Sequence, residues 1–360
     1  MKLNMRFLMM GPVKSLFYGF YLYFLIYFMS LIFVEEVNVI ALTIAIVFID
    51  LMSFTVEYSY SNPITRFSIT LSEILKWFVL MCGILTFGIY IVEIAISLPK
   101  NIIVGLYLVV VSIGIYGYIN AHRIVINEHN LEIVNLGEEL RIIHISDLHI
   151  GSIRNKKMLK DLVNKLNSIT ADIIIISGDL ADGYSPIKED MFITLKNSNI
   201  PIFFVFGNHD YYREMDELLK ATENAGITSI INEKLEFKGL NIFGLAYSFG
   251  NQDEQLETIK KIEEVINPKQ VNILVYHVPV NWEYFSSIGF DIQLSGHTHG
   301  GQFYPINLIF KRMFPYIRGI FKSGNSYLSV SDGVGTGSPP LRLGTHSEIV
   351  LLNLKKKYEL

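Results

Sequence analysis

The chain has 360 residues, 51% of them hydrophobic and only 18% charged, against roughly 25% charged in ordinary soluble domains. The charge is uneven: residues 1–123 hold 7 basic and 6 acidic side chains, while the other 237 hold 23 and 28. This excludes a single soluble domain, a disordered chain and a fibrous repeat, and the acidic balance of the second part argues against a nucleic-acid-binding surface as its main function.

In chain order, Leu16 to Val34 is the first long apolar run. It outlasts a signal-peptide core and ends in Glu35-Glu36 rather than a small-residue cleavage site, so it reads as a retained membrane span. Val37 to Val56, Trp77 to Leu98 and Ile102 to Ile119 follow, each close to the roughly 20 residues that cross a hydrocarbon core as a helix. Four spans in two hairpins are expected, making residues 1–122 a membrane domain whose partner is the lipid bilayer. Lys2, Arg6, Lys14, Arg66, Lys76 and Arg123 flank one side, and Lys100, Glu35 and Glu36 the other. Basic residues gather on the cytoplasmic side, so a multi-pass protein with its soluble part facing the cytoplasm is expected. Cys82 has no partner cysteine, which fits a reducing compartment. Asp50 and Glu93 fall within spans; Asp50 looks isolated, and interhelical hydrogen bonding or an interfacial position accounts for both better than a relay.

From Arg123 the pattern changes to short β-rich runs alternating with charged helical stretches. Arg141–Ser146, Asp172–Ser177, Pro201–Phe206, Val271–Tyr276 and Asp291–Ser295 read as buried strands. Lys157–Ser168, Glu214–Ala225 and Gln255–Ile266 have helical spacing. Further strands at Ile227–Ile231, Lys234–Tyr247, Ser326–Ser331 and Glu348–Leu354 make two packed sheets the expectation, and Arg123 to Val134 reads as a hairpin. Residues 123–360 thus form an α/β domain after an N-terminal α-helical membrane domain.

Each of the five central strands ends in acids, amides or histidines: Asp147-Leu148-His149, Gly178-Asp179, Gly207-Asn208-His209-Asp210, His277, and Gly296-His297-Thr298-His299. Ligand sites of open α/β sheets lie beyond the carboxyl ends of the strands. Asp147 and His149 are two apart, as are His297 and His299, so in an extended segment each pair projects to one side. Imidazoles, carboxylates and an amide oxygen suit Mn, Fe or Zn rather than a thiolate site or a Ca²⁺ cage.

In order, these five motifs resemble the signatures of the calcineurin-like metallophosphoesterases, and Gly300-Gly301-Gln302 extends the last as in a bacterial, membrane-associated branch. The resemblance implies a four-layer α-β-β-α sandwich and hydrolysis of a phosphodiester or pyrophosphate bond. It assigns Asp147, His149 and His299 to one metal ion and Asn208, His277 and His297 to a second, with Asp179 bridging. Two such ions, manganese favoured, would clamp the phosphoryl oxygens and supply a bridging hydroxide as in-line nucleophile. His209 is implied as the acid for the leaving oxygen or a stabiliser of phosphoryl charge, Asp210 as the residue that orients or tunes it, and Asp182 as a structural carboxylate. Gly183 and Asp210 stand where the protein serine/threonine phosphatase branch has Arg and Glu, which speaks against that activity. His144 has the opposite parity to Asp147 and reads as structural, and His122, His129 and His346 belong to no motif.

Phe303 to Lys322 follows the last motif with twelve apolar or aromatic residues and Lys311, Arg312, Arg318 and Lys322, without an acid. It reads either as an interfacial segment guiding a lipid phosphate inward or as a buried lid. A membrane-anchored hydrolase of lipid-linked phosphoesters leads. The same chemistry on soluble phosphodiesters or nucleotides is the alternative, and a noncatalytic metal-binding scaffold comes third. Arg342 reads as a bidentate phosphate binder or a surface ion pair.

Overall fold

The computed structural model describes residues 5–33, 37–248 and 252–357. The chain divides into two compact units, one of Met1–Asn120 with Tyr184–Pro186 and Ser338–Leu341, the other of the remainder.

The first unit is built on four helices, α1 (Met5–Phe33), α2 (Val39–Ser59), α3 (Pro63–Glu93) and α4 (Lys100–Asn120), each with a stretch long and apolar enough to cross a membrane. The boundaries expected from hydropathy shift at α3, which starts 14 residues before Trp77 and stops short of Leu98. Asn62 caps this helix by accepting from the Ile64 and Thr65 N–H groups, and Pro63 at the first helical position needs no donor. Lys76 therefore lies inside a helix rather than on a flanking turn. Asp50, 2% exposed, is not isolated: it accepts from Ser15 Oγ of α1 at 2.9 Å and from Ser72 Oγ of α3, and pairs with Lys76 Nζ at 2.8 Å. A carboxylate in an apolar bundle is tolerable only when paired, and here the pairing ties three helices together. Glu35 and Glu36, expected to turn the first hairpin, and Lys2 lie outside the described residues.

The second unit is the expected four-layer sandwich. Its first sheet has the order β1 (Ile124–Ile133), β12 (Ser347–Lys356), β2 (Leu140–Ile145), β3 (Ile173–Ile176), β4 (Ile202–Phe204), β5 (Ile227–Ser229), parallel except where β12 meets β2. The second runs β10 (Gly319–Ser323), β11 (Ser326–Val330), β9 (Ile292–Ser295), β8 (Val271–Tyr276), β7 (Leu240–Leu245), β6 (Glu233–Phe237), with antiparallel pairs at its two edges. The period of two along a strand explains the layering. In β3, Ile173 and Ile175 face the core between the sheets, and Ile174 and Ile176 face the outer core under α5 (Lys156–Leu166) and α6 (Met215–Asn224). In β8, Val271, Ile273 and Val275 point into the sandwich, whereas Leu274 and Tyr276 pack with Ile259 and Ile262 of α7 (Gln252–Val265) and Phe285 of α8 (Trp282–Ser287).

Two local expectations change. Arg123 to Val134 is not a hairpin: it is the single strand β1, in parallel register with β12 from Ile124 opposite Ser347 to Ile133 opposite Lys356. Its hydrogen-bonding partner comes from the far end of the sequence, which no local pattern can announce. Lys234 to Tyr247 is two strands rather than one, because Lys238 and Gly239 both take positive φ, the requirement of a two-residue hairpin turn.

Candidate metal centre

Asp147 follows β2, Asp179 follows β3, Asn208 follows β4, His277 follows β8 and His297 follows β9, so parallel strand order alone delivers five motifs to one edge. The backbone there is not extended as the spacing suggested. Asp147, His149, Asp179, His297 and His299 all have φ between +48° and +70°. Left-handed backbone at a non-glycine residue costs of order 1–3 kcal/mol and persists where surrounding structure enforces it. Hydrogen bonds enforce it here: Asp147 N–H donates to Gly178 O at 3.0 Å, His149 N–H to Asp179 O at 3.0 Å and His297 N–H to Asp147 Oδ2 at 3.0 Å. The motif glycines divide their roles. Gly178 adopts φ +104°, whereas at Gly207 and Gly296 the need is close approach: a Cβ would lie 2.3 Å from Asp179 Oδ1 or 2.0 Å from Ser146 Oγ.

The carboxylates and imidazoles form one buried cluster. Asp147, His149 and His299 place a ligand atom each within 4.8 Å of one another, as do Asp147, Asp179 and His277, and His149, Asp179 and His209. His299 Nε2 lies 3.3 Å from Asp147 Oδ1 and 3.1 Å from His149 Nε2, and His277 Nε2 lies 3.1 Å from Asp179 Oδ2. Asn208 Oδ1 and His297 Nδ1 are 2.9 Å apart. Asp182 sits one step back, with Oδ2 accepting from Ser152 N–H at 2.7 Å and from its hydroxyl at 3.0 Å, the structural role expected of it.

The donor chemistry fits divalent cations. Asp147 Oδ1 is buried without a hydrogen-bond partner, and an orphaned buried polar atom is costly unless something compensates it. Burial drives His149 and His299 well below the usual imidazole range and His297 down to about 4, so these rings carry the free lone pairs that metal binding requires. At His277 burial also works downward, but Asp179 and Asp147 outweigh it and take the ring up to about 10, a measure of how strongly the two carboxylates favour positive charge at that point. His277 Nδ1 donates to Ser177 O at 2.7 Å, which turns Nε2 to the cluster.

His209 presents its ring 4.7 Å from that of His149 and donates from Nδ1 to Asp182 O at 2.8 Å. Asp210, expected to orient or tune His209, does something else. Its carboxylate turns inward and accepts from the backbone N–H groups of Asp179 (2.8 Å), Gly207 (2.8 Å) and Ala181 (3.0 Å). Three amides of the tight turns need an acceptor, and the Asp210 carboxylate supplies one to all three. Burial and the neighbouring Asp179 push this carboxyl up to about 8, against the pull of those N–H groups.

Other expectations fall outside the cluster. His144 is fully buried between Ser329 Oγ (2.9 Å) and Ser177 Oγ (2.8 Å), a packing role, while His122 and His346 are exposed and His129 is half-buried. Arg342 is neither a phosphate binder nor a surface ion pair: it is completely buried and bonded to backbone carbonyls. Phe303 to Lys322 is not a buried lid. It forms α9 (Ile306–Met313) and the edge strand β10; Asn307 and Phe303 are inside, whereas Tyr304, Leu308, Ile309 and Met313 are each more than half exposed beside exposed Lys311 and Arg312. Phe314, which caps α9, packs against the His297 ring at 5.6 Å.

Fold and site together define the class: this is a metallophosphoesterase. The chain belongs to the calcineurin-like phosphoesterase family, whose sequence profile matches residues 140–301. It is 31% identical over 267 residues to a Helicobacter pylori protein named an uncharacterized metallophosphoesterase, covering 72% of each chain. It is 32% identical over 233 residues to another of that description from Campylobacter jejuni, covering 63% of this chain and 62% of that one, so it spans less than two thirds of the length of the latter. Among solved structures, phosphopantetheinyl hydrolase from Mycobacterium tuberculosis is similar at a TM-score of 0.37 and 14% identity, over 57% of this chain and 92% of that one.

Proposed function

We propose that residues 1–122 anchor the protein in a membrane and that residues 123–360 hydrolyse a phosphodiester or pyrophosphate bond on its cytoplasmic side. Asp147, His149 and His299 would hold one metal ion and Asn208, His277 and His297 the other, with Asp179 shared. Bound there, manganese or a similar ion neutralises phosphoryl charge and lowers the pKa of water. The chain's own residues do the rest. Asp182 O, accepting from His209 Nδ1, turns Nε2 of that ring to the site, from which the ring in its imidazolium form would protonate the departing oxygen and be left as the neutral Nδ1–H imidazole. Asp147 and His277 are completely buried, so bulk water has no access to them. The observation that carries this reading is the convergence of buried carboxylate and imidazole ligand atoms, with Asp147 Oδ1 lacking a hydrogen-bond partner, from strands far apart in sequence.

A lipid-linked substrate is supported by the exposed apolar and basic face of α9, whose capping residue Phe314 touches His297. Apolar residues interleaved with lysine and arginine suit the interface of an anionic bilayer. The test is purified protein with Mn²⁺ assayed on lipid and soluble phosphoesters. Asp179→Asn should abolish hydrolysis while membrane insertion persists; unchanged turnover would remove the mechanism. Neutralising Lys311, Arg312, Arg318 and Lys322 together should slow hydrolysis of lipid phosphates at least tenfold and leave soluble aryl phosphodiesters unaffected. Equal behaviour on both substrates would dismiss the lipid assignment. Protease accessibility of the hydrolase domain in intact cells reports its side of the membrane.

A further inference from the structure

We infer that Arg342 is a positioning residue for one half of the metal centre, holding the loops that carry Asp147 and His299 in place from behind; this rests on the metal-site reading above. Its guanidinium is completely buried, a position that is expensive for a charge unless hydrogen bonds compensate. Nη2 donates to the carbonyl oxygens of Asp332 (2.5 Å), Gly333 (3.0 Å) and Gly335 (2.7 Å), so one side chain gathers the turn 332–335 around itself. The other face of that turn holds the ligand strand: Val334 N–H donates to Ser146 O and Gly335 N–H to Asp147 O, both at 2.9 Å. At Gly333, with φ +85°, an added Cβ would lie 2.8 Å from Asp147 Cβ and 3.4 Å from both His299 Nδ1 and Arg342 Nη2, so backbone alone fits between the guanidinium and two ligands.

The same guanidinium reaches the His299 loop. Nη1 donates to Thr345 Oγ1 at 3.2 Å, and Thr345 Oγ1 donates to Gln302 O at 2.8 Å, three residues past His299. Leu343, the next residue along, donates its N–H to Gln302 O at 3.1 Å. One planar fork therefore ties the loop behind Asp147 to the loop that carries His299. His277 is held from elsewhere, by Ser177 O, and Asn208 meets His297 Nδ1 and donates to the Tyr212 hydroxyl. A lysine keeps the charge but loses the fork.

The effect should therefore be larger at the ion held by Asp147 and His299, while His297, on the same loop as His299 and donating its N–H to Asp147 Oδ2 at 3.0 Å, passes a smaller part of it to the other ion. Full-length protein in detergent is titrated with Mn²⁺ for wild type, Arg342→Lys and Thr345→Val, with electron paramagnetic resonance resolving a coupled ion pair from a single ion. Wild type should bind two ions and give the coupled signal. Both variants should bind one ion 10–100-fold more weakly, the usual range for residues that orient ligands from behind, and the other distinctly less so, while the metal-free thermal midpoint of Thr345→Val falls only by the amount that one lost buried hydrogen bond accounts for. Equal weakening of both ions, or two ions bound as tightly as in wild type, would overturn the proposal. Wild type that binds no Mn²⁺ would instead dismiss the metal-site reading on which it stands.

Discussion

Replacing Asp210 by alanine would strip one acceptor from three backbone N–H groups at once, those of Asp179, Ala181 and Gly207. Leaving a buried donor unsatisfied costs about 1–3 kcal/mol, and water entering the space vacated by the carboxylate recovers part of that. The expected loss is therefore roughly 3–6 kcal/mol. For a domain of this size each kcal/mol moves the thermal midpoint by about 2–4 °C, which gives a drop on the order of 6–24 °C. Asparagine is the finer probe. Its single oxygen can serve the N–H groups of Asp179 and Gly207, which share Oδ2, but its amide then faces Ala181 N–H, a donor against a donor. About 1–3 kcal/mol should be lost. The assay is intrinsic-fluorescence unfolding of the full chain in detergent with a chelator present, run beside kcat for a soluble phosphodiester with Mn²⁺. Stability should fall in the order wild type, Asp210→Asn, Asp210→Ala. If the midpoints coincide within 2 °C while kcat falls a hundredfold, Asp210 acts through His209 after all and the hydrogen bonds described above have been misjudged.

Two further outcomes follow from the geometry. Gly296→Ala puts a Cβ 2.0 Å from Ser146 Oγ and 2.3 Å from Asp147 Oδ2, overpacking that costs about 1–3 kcal/mol; Mn²⁺ binding measured by calorimetry should weaken, and Ser146→Ala in the same chain should recover part of it, a recovery whose absence would refute the clash. Asp291 is pushed by burial from 3.8 up to about 6, with Asn272 N–H drawing it the other way. Its folded-state pKa lies above the unfolded one, so the folded protein holds the extra proton and stability is lost as pH rises from about 4 to 6, by about 3 kcal/mol. Asp291→Asn should therefore raise the thermal midpoint at pH 7.5 and match wild type near pH 4, and parallel profiles would count against this assignment.

Much of the chemistry was legible in the residues themselves. Side-chain identity decides what a strand end can bind, and the order of Asp147, His149, Asp179, Asn208, His277, His297 and His299 along the chain already pointed to one edge of a sheet. The period of two in Ile173–Ile176 and the apolar runs of α1 to α4 are likewise local, because burial on a strand face or along a span depends on nearest neighbours in sequence. What the tertiary structure decided involves partners far apart in the chain. Strand β1 pairs with β12 across more than two hundred residues, a contact that hydropathy does not encode. Asp50 finds Lys76 only once α2 and α3 lie side by side. The left-handed backbone at Asp147, His149 and His297 is held by hydrogen bonds between different strands' loops, and the N–H groups of Asp179, Ala181 and Gly207 draw Asp210 away from His209. Arg342 reads from sequence as a phosphate binder or a surface ion pair; only the closing of the 332–335 turn around its guanidinium, where carbonyl oxygens replace water, makes burial of that charge tolerable and gives it a place behind the site.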